Sequence, residues 1–501
     1  MDFDEIPYDW RQPATLLEIK PNYRDTSLFE WPEKALIVGQ KLAGGSLAPG
    51  AIYEVTRWQQ GIELFGQGSA GAKMVEAYRK ANKTTPLFVM ALPDADGAVK
   101  ATGTFTFAGA LSASVVLRFK VGGLQVRFTA LTTDTVTSMA AKLAAAINDD
   151  PDVEVVATSA LGVVTCTARH GGEIGNEIDL RVDTDVQPVP SGLTVTVAAM
   201  AGGSGNPDLQ DVLDIITNTW FTSVCIPWAD STNVGLLADW LKERYTATAK
   251  LDAHGFVFKR GTYGELSAYG DLTNCAQFTP TGLKGMPESA YFFAASLMGV
   301  WNFQRTNDPA RQLRSLVVPN VTAPAPADQF TEEEKNLLLY RGISTFDCLS
   351  DGSVTIARLI TSYKESNLGI ADDAWLDIMV PATMSRIRYD WASYVSLQYP
   401  RAKLVDDDTM AAFVTTATGN ADDDDATAGT SAVVSPGRMH ASWAARCQLY
   451  GKKVWIMDVA KTVKQSVFQI SSDDKNRMES RQQVKIVGNL MVLAGSLEFQ
   501  V

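Results

Sequence analysis

Residues 34–92 open on KALIVG (34–39), pass through GIELFGQGSAGAKMVEAYRK (61–80) and close on PLFVMAL (86–92). The outer two runs read as buried strands. AGAKMVEAYRK (70–80), between them, reads as a helix. Strand, helix and strand make a β-α-β beginning, from which an α/β core is expected. The alternation resumes at 208 with a helix over 208–217, a strand at 220–227 (WFTSVCIP) and a helix over 233–244. A short strand at 256–258 and an apolar helix over 288–301 follow. Together these read as a layered open sheet whose first part lies upstream of an interruption.

The loop before the first helix, Gly66-Gln67-Gly68-Ser69-Ala70-Gly71, matches G-x-G-x-x-G. Asp94 and Asp96 follow the next strand, where a ribose-binding acid sits in dinucleotide-binding folds. Such a fingerprint needs a clean buried strand in front of it, and residues 61–65 read as a short, polar one. The competing reading is a glycine-rich turn that lets the helix pack closely. A nucleotide-binding α/β enzyme using this GQGSAG loop stands as one alternative function.

Residues 99–183 change character, being rich in Thr, Ala, Val and Gly. Short alternating runs are joined by turns such as Gly122-Gly123, and one helix spans 136–148 behind Asp134 or Thr135. Strands follow at 153–158 and 162–168, and 187–206 ends in a Gly-rich return. This is a β-rich domain with one helix, inserted into the α/β core and expected to face outward. A receptor-binding surface protein is the second alternative, with the insert as its binding module.

The two ends of the sequence differ from the middle. Residues 1–31 hold Pro7, Pro13 and Pro21 among Tyr8, Trp10, Tyr23, Phe29 and Trp31. Proline fixes φ and removes donors, so an extended arm is expected rather than a helix. At the other end, 490–501 reads LMVLAGSLEFQV, with Leu497, Phe499 and Val501 alternating against Ser496, Glu498 and Gln500. That is the period of a strand with one buried face. Such a strand must pair in its own sheet or add to another chain's sheet. Before it, a helix is expected through Met384, Ile387, Trp391, Val395 and Gln398. A second starts at Ser435-Pro436 and closes at Gly451, and strands are expected at 453–457 and 466–471.

Lys and Arg total 44 against 57 Asp and Glu, a net charge of −13, which disfavours nucleic-acid binding. The opening MDFDEIPYDW has no apolar run, so no secretory signal is expected, and no segment is long and apolar enough for membrane insertion. Five dispersed cysteines (Cys166, Cys225, Cys275, Cys348, Cys447) read as reduced thiols. His170, His254 and His440 form no metal-ligand pattern, and no G-x-S-x-G elbow is present. A Ser-His-Asp triad through His254 with Asp252 or Asp271 would rest on spacing alone. The runs 406–408 and 422–425 lack the spaced ligands of a calcium loop. No catalytic residue, cofactor or metal is expected.

The most specific text is DPARQLRSLVVPNVTAPAPADQFTEEEKNLLLYRGISTF (308–346), where Thr331 and Glu334 form a capping box. With its Pro-rich link and LL-x-x-GI-like segment, it resembles the tail sheath proteins of contractile phages, Mu-like phages in particular. IARLITSYKESNLGIADDAWLDI (356–378) resembles that family's arginine-threonine-tyrosine helix and the acidic turn after it. LFGQGSAGAKM (64–74) resembles its FG-x-GS turn, and RHGGEIGNEIDLRV (169–182) the close of its inserted domain. These resemblances run over most of the chain, in order.

The resemblance implies a multidomain α/β protein with a layered α/β core, an inserted β-rich outer domain and a C-terminal α/β assembly domain. The sheet of that last domain would accept strands from neighbouring subunits. The expected boundaries are an arm over 1–32, a discontinuous core over 33–97 and 200–370, an insert over 98–199 and an assembly domain over 371–501. The resemblance further implies a homo-oligomer of stacked hexameric rings around a tail tube, meeting baseplate and tail terminator proteins. The particle would be a virion tail assembled in the host cytoplasm. Contraction, driven by a metastable extended assembly rather than nucleotide hydrolysis, would push the tube through the host envelope during genome delivery. Expected intersubunit residues are Tyr8, Trp10, Leu16, Ile19, Leu490, Val492, Leu497, Phe499 and Val501, with Arg386 and Arg388 as candidates for facing the tube.

Overall fold

The computed structural model describes residues 28–184, 187–411 and 433–498. They form two compact units: 32–386 with 486–498, and 28–31 with 387–485.

The first unit begins with β1 (Ala35–Gln40), β2 (Tyr53–Val55), α1 (Gln59–Phe65), α2 (Ala70–Ala81) and β3 (Leu87–Leu92). Every residue of β1 is buried, so the strand is covered on both faces as KALIVG requires. Residues 61–65 are not the expected polar strand. They belong to α1, with Leu64 and Phe65 buried beneath it. α2 starts where the sequence sets it, Ser69 Oγ accepting from the Ala72 amide.

The insert comprises β4 (Lys100–Gly109), β5 (Val115–Val121), β6 (Leu124–Ala130), α3 (Val136–Asp149), β7 (Val155–Ala160), β8 (Val163–Gly171), β9 (Leu180–Val182) and β10 (Leu193–Ala201). Its sheets, β10-β4-β8-β7 and β6-β5-β9, are antiparallel. They enclose a core of their own in which Phe105, Phe107, Phe119 and Phe128 meet edge-on or stacked at 5.2–6.3 Å. The Gly-rich return of 187–206 thus contains a full strand, β10, paired along β4.

The core resumes with α4 (Gln210–Ile215), β11 (Ser223–Cys225), α5 (Ser231–Arg244), β12 (His254–Arg260), α6 (Tyr263–Gly270), β13 (Phe278–Leu283) and α7 (Ala290–Asn307). The main sheet runs β13-β12-β11-β1-β3-β2, parallel except for β2. β14 (Val317–Thr322), α8 (Glu332–Tyr340), β15 (Thr345–Cys348) and β16 (Ser353–Arg358) follow, with the expected Thr331–Glu334 capping box opening α8. Residues 359–378 form no helix. The arginine, threonine and tyrosine of that motif instead cross-brace a loop. Arg358 binds Asp377 through two bonds of 3.0 Å, Thr361 Oγ1 donates to the Trp375 carbonyl, and Tyr363 donates to Asp372.

α9 (Met379–Gln398) spans the boundary between the units. The second unit continues with β17 (Lys403–Leu404), β18 (Val433–Val434), α10 (Pro436–Lys452), α11 (Val459–Gln465), β19 (Val467–Ile470) and β20 (Met478–Arg481). α10 has the expected Ser435 cap but runs past Gly451. A Cβ at Gly451 would lie 2.5 Å from Val459 Cγ2, so this glycine serves the approach of α11 rather than the helix end. Residues 453–457 turn through Val454 (φ 58°) instead of forming a strand. Leu490–Glu498 form no strand either, because no strand of the described chain lies alongside to receive their backbone groups.

Candidate functional site: the sheet crevice and the chain ends

In open α/β sheets, ligands bind beyond the carboxyl ends of the strands, where the strand order reverses. Here the chain passes from β1 to β3 on one side and returns to β11 on the other, so that point lies between β1 and β11. Trp228 Nε1 donates across it to Gln40 Oε1 at 3.0 Å. Around this point the crevice is filled by the insert. Gln40 Nε2 donates to the Gly171 carbonyl (2.8 Å) and to Asp94 (2.7 Å). Asp94 also accepts from the Gly171 amide (2.7 Å) and pairs with His170 Nδ1 (3.0 Å). Burial alone would raise the Asp94 carboxyl, but the His170, Gly171 and Gln40 donors outweigh it and hold it below its ordinary range.

The glycine motif is committed to packing. His170 Nε2 accepts from the Ala70 amide at 3.0 Å, so the first amide of α2 is unavailable to a phosphate. A Cβ on Gly71 would fall 2.1 Å from Phe65 Cδ1, and one on Gly39 would fall 2.6 Å from Gly71 Cα. Gly66 and Gly68 turn at φ 89° and 73°. The loop therefore joins two helices tightly, and the residue placed like a ribose-binding acid is held by the insert.

Further along the same edge, Arg260 binds Asp179 and the Glu177 carbonyl, while Arg181 reaches the Gly285 carbonyl. Desolvation pushes the Glu177 carboxyl up to about 7, against the pull of Lys259 and Arg260. Buried Glu154 accepts from Ser289 Oγ (2.6 Å) and Tyr291 OH (2.7 Å) at the start of α7. Asn206 donates to Asp230 at 2.8 Å. The insert is thus bolted across the crevice rather than attached without packing. His254 is likewise a packing residue. Its Nε2 pairs with Thr279 Oγ1 at 2.7 Å and its ring lies 5.9 Å from Trp301, with burial, aided by Arg305, holding its pKa well below normal. Among the described residues no cluster of His, Cys, Asp or Glu could hold a metal, and no helix is long and apolar enough to cross a membrane.

Tyr8, Trp10, Leu16, Ile19, Phe499 and Val501 lie outside the described residues. Leu490, Val492 and Leu497 are 77%, 78% and 99% exposed. Among the described residues, the segment is held at its root. Asn489 donates to the Ala310 carbonyl (3.0 Å) and accepts from the Gln312 amide (3.2 Å), and Arg314 donates to the Met491 carbonyl (2.9 Å). The DPARQLR text that stood out in the sequence is therefore the loop that holds this root. Arg386 and Arg388 are half-buried on α9, and neither is a free surface cation. The sequence reading missed His170, Asp94 and Glu154 as a set because they are far apart in the chain. In the second unit, β19 and β20 form a two-stranded antiparallel sheet with no further strand among the described residues.

Residues 202–362 match the family model for the phage tail sheath protein central domain. The chain is 31% identical over 414 residues to the Mu-like prophage FluMu tail sheath protein of Haemophilus influenzae, covering 82% of this chain and 84% of that one. The crystal structure of a sheath tail protein from Desulfitobacterium hafniense has a TM-score of 0.47 at 11% identity, covering 95% of this chain and all (100%) of the other. A contracted sheath complex of an extracellular contractile injection system gives a TM-score of 0.46 at 10% identity, with 98% of each chain covered. The extent and identity of the Haemophilus match carry the assignment: the chain belongs to the phage tail sheath protein family.

Proposed function

We propose that this chain is the structural subunit of a contractile phage tail sheath. It polymerises as stacked hexameric rings around the inner tail tube and contracts to drive the tube through the host envelope. The observation that carries this reading is the segment 490–498. It leads into the alternating run 496–501 and has a bound root, yet Leu490, Val492, Leu493 and Leu497 are exposed and no strand of the described chain pairs with it. An apolar strand left unpaired is a donor for another chain's sheet. The β19–β20 pair of a neighbour is the matching acceptor, and the arm over 1–32 is the second donor, through Tyr8, Trp10, Leu16 and Ile19. A donated strand makes about six main-chain bonds, each worth about 1 kcal/mol net. A donor and an acceptor on different parts of one chain give head-to-tail contacts, which close into rings or propagate as helices. Arg386 and Arg388 are the proposed contacts to the tube. Baseplate and tail terminator proteins would cap the stack, which assembles in the host cytoplasm and ends in the virion.

Negative-stain microscopy of the purified protein tests this reading: tubes or rings are expected, and a monodisperse monomer at high concentration would contradict it. The enzyme alternative has its own check. With the crevice plugged and the Ala70 amide occupied, NAD or FAD at millimolar concentration should leave the melting temperature unchanged.

A further inference from the structure

Residues 28–31 belong to the second unit, and the structure shows what holds them there. Asp390, on α9, is wholly buried. Its carboxylate accepts from Arg446 Nε (2.9 Å), from Arg446 Nη2 and from Tyr450 OH (2.7 Å), all on α10. Its remaining partner is not a side chain. The backbone amide of Phe29 donates to Asp390 Oδ1 at 2.8 Å. A carboxylate offers about four acceptor sites, so the arm supplies the donor that completes a buried ion pair. Two ring contacts flank the bond. The Arg446 guanidinium lies 5.7 Å from the centroid of the Phe29 ring, and Trp31 meets Tyr389 edge-on at 5.3 Å.

A buried ion pair is seldom the cheapest way to stabilise a helix pair, since apolar side chains of similar volume do as well or better. Here it does something apolar side chains cannot: it holds a main-chain amide by a charge-assisted bond that is independent of the side chain at position 29. We propose that Asp390, oriented by Arg446 and Tyr450, is the mooring of the N-terminal arm. It is a positioning residue that fixes the backbone of the arm at Phe29. An arm that bridges subunits carries force through its backbone, and a backbone amide on a rigid, desolvated carboxylate is a suitable point of attachment. The proposal rests on the sheath reading for its purpose, but the mooring itself is a property of the single subunit.

The test uses the full chain and two variants that break the bond from opposite sides. Phe29→Pro removes the donated N–H and leaves the ion pair intact. The double variant Asp390→Leu/Arg446→Met removes the acceptor while keeping the site filled. Phe29→Ala, which retains the amide, is the control. In hydrogen exchange on the unassembled protein, the wild-type Phe29 amide should exchange at least about 100-fold more slowly than an unstructured amide, and the double variant should lose most of that protection. By microscopy, wild type and Phe29→Ala should form tubes, whereas Phe29→Pro and the double variant should not, although both keep the wild-type circular dichroism spectrum. Rapid exchange of Phe29 in the wild type, or tubes of normal length from Phe29→Pro, would overturn the mooring. Should the wild type itself form no tubes, the sheath reading would fail, while the exchange measurement would still decide whether Asp390 holds the arm.

Discussion

Gly71 and Gly235 both sit in helices, and the space around them is opposite. A methyl at Gly71 would collide with the Phe65 ring, whereas one at Gly235 in α5 meets nothing within 4 Å. Gly71→Ala should therefore cost about 1–3 kcal/mol through overpacking. Gly235→Ala should stabilise by about 0.5–1 kcal/mol, because alanine loses less backbone freedom on folding. Urea midpoints of the two variants, moving in opposite directions, check the packing account of the GQGSAG loop. Glu177 gives a second prediction at this scale. Its carboxyl is raised from 4.5 to about 7 in the fold, so between those values the folded chain holds a proton that the unfolded chain has released. Stability is then lost as pH rises through that window, by about 3 kcal/mol when the window has been crossed. Glu177→Gln should abolish this loss. Melting temperatures at pH 4.5 and pH 8 should show the variant gaining on wild type at the higher pH.

Among the elements, the junction between the insert and the parallel sheet has the clearest energetic consequence. Glu154 brings a buried side chain from the insert to the start of α7, where it accepts from the Ser289 and Tyr291 hydroxyls. Glu154→Leu removes the acceptor that both hydroxyls share and should cost about 1–3 kcal/mol, the cost of leaving a buried polar group unpaired. The cost should appear as a lower temperature for one shared transition of core and insert in calorimetry. An insert that melts separately, with the core unaffected, would show that the contacts across the crevice are marginal. His170 plays the matching part at α2, where its ring replaces the phosphate that a dinucleotide-binding helix would hold.

At the scale of the molecule, the described residues have closed apolar cores and an open apolar segment at 490–498. Among the described residues, removing 490–501 strips none from either core cluster, so the shortened protein should keep its circular dichroism spectrum and melting temperature. It should fail to form tubes when the full chain does, as microscopy of the two side by side would show. A large drop in melting temperature would mean that the segment stabilises its own subunit. The insert and the parallel sheet are joined by buried polar bonds, so they are expected to move together as one body in the proposed contraction.

Local pattern and spacing were enough to determine the buried strands 35–40 and 87–92, the caps at Thr331 and Ser435, the β-rich insert and the family. These are local quantities: burial on both faces, a hydroxyl three residues before an amide, an ordered set of short motifs. Tertiary structure alone decided that Gly71 meets Phe65, that Asp94 pairs with a histidine in the insert, that the Arg358–Tyr363 motif braces a loop instead of a helix, and that Gly451 admits α11. Each of these depends on residues distant in the chain becoming neighbours, or on a backbone conformation imposed by that approach. The run 490–501 shows the division most plainly: the alternation of 496–501 is written in its side chains, while a strand exists only where a second backbone accepts its hydrogen bonds.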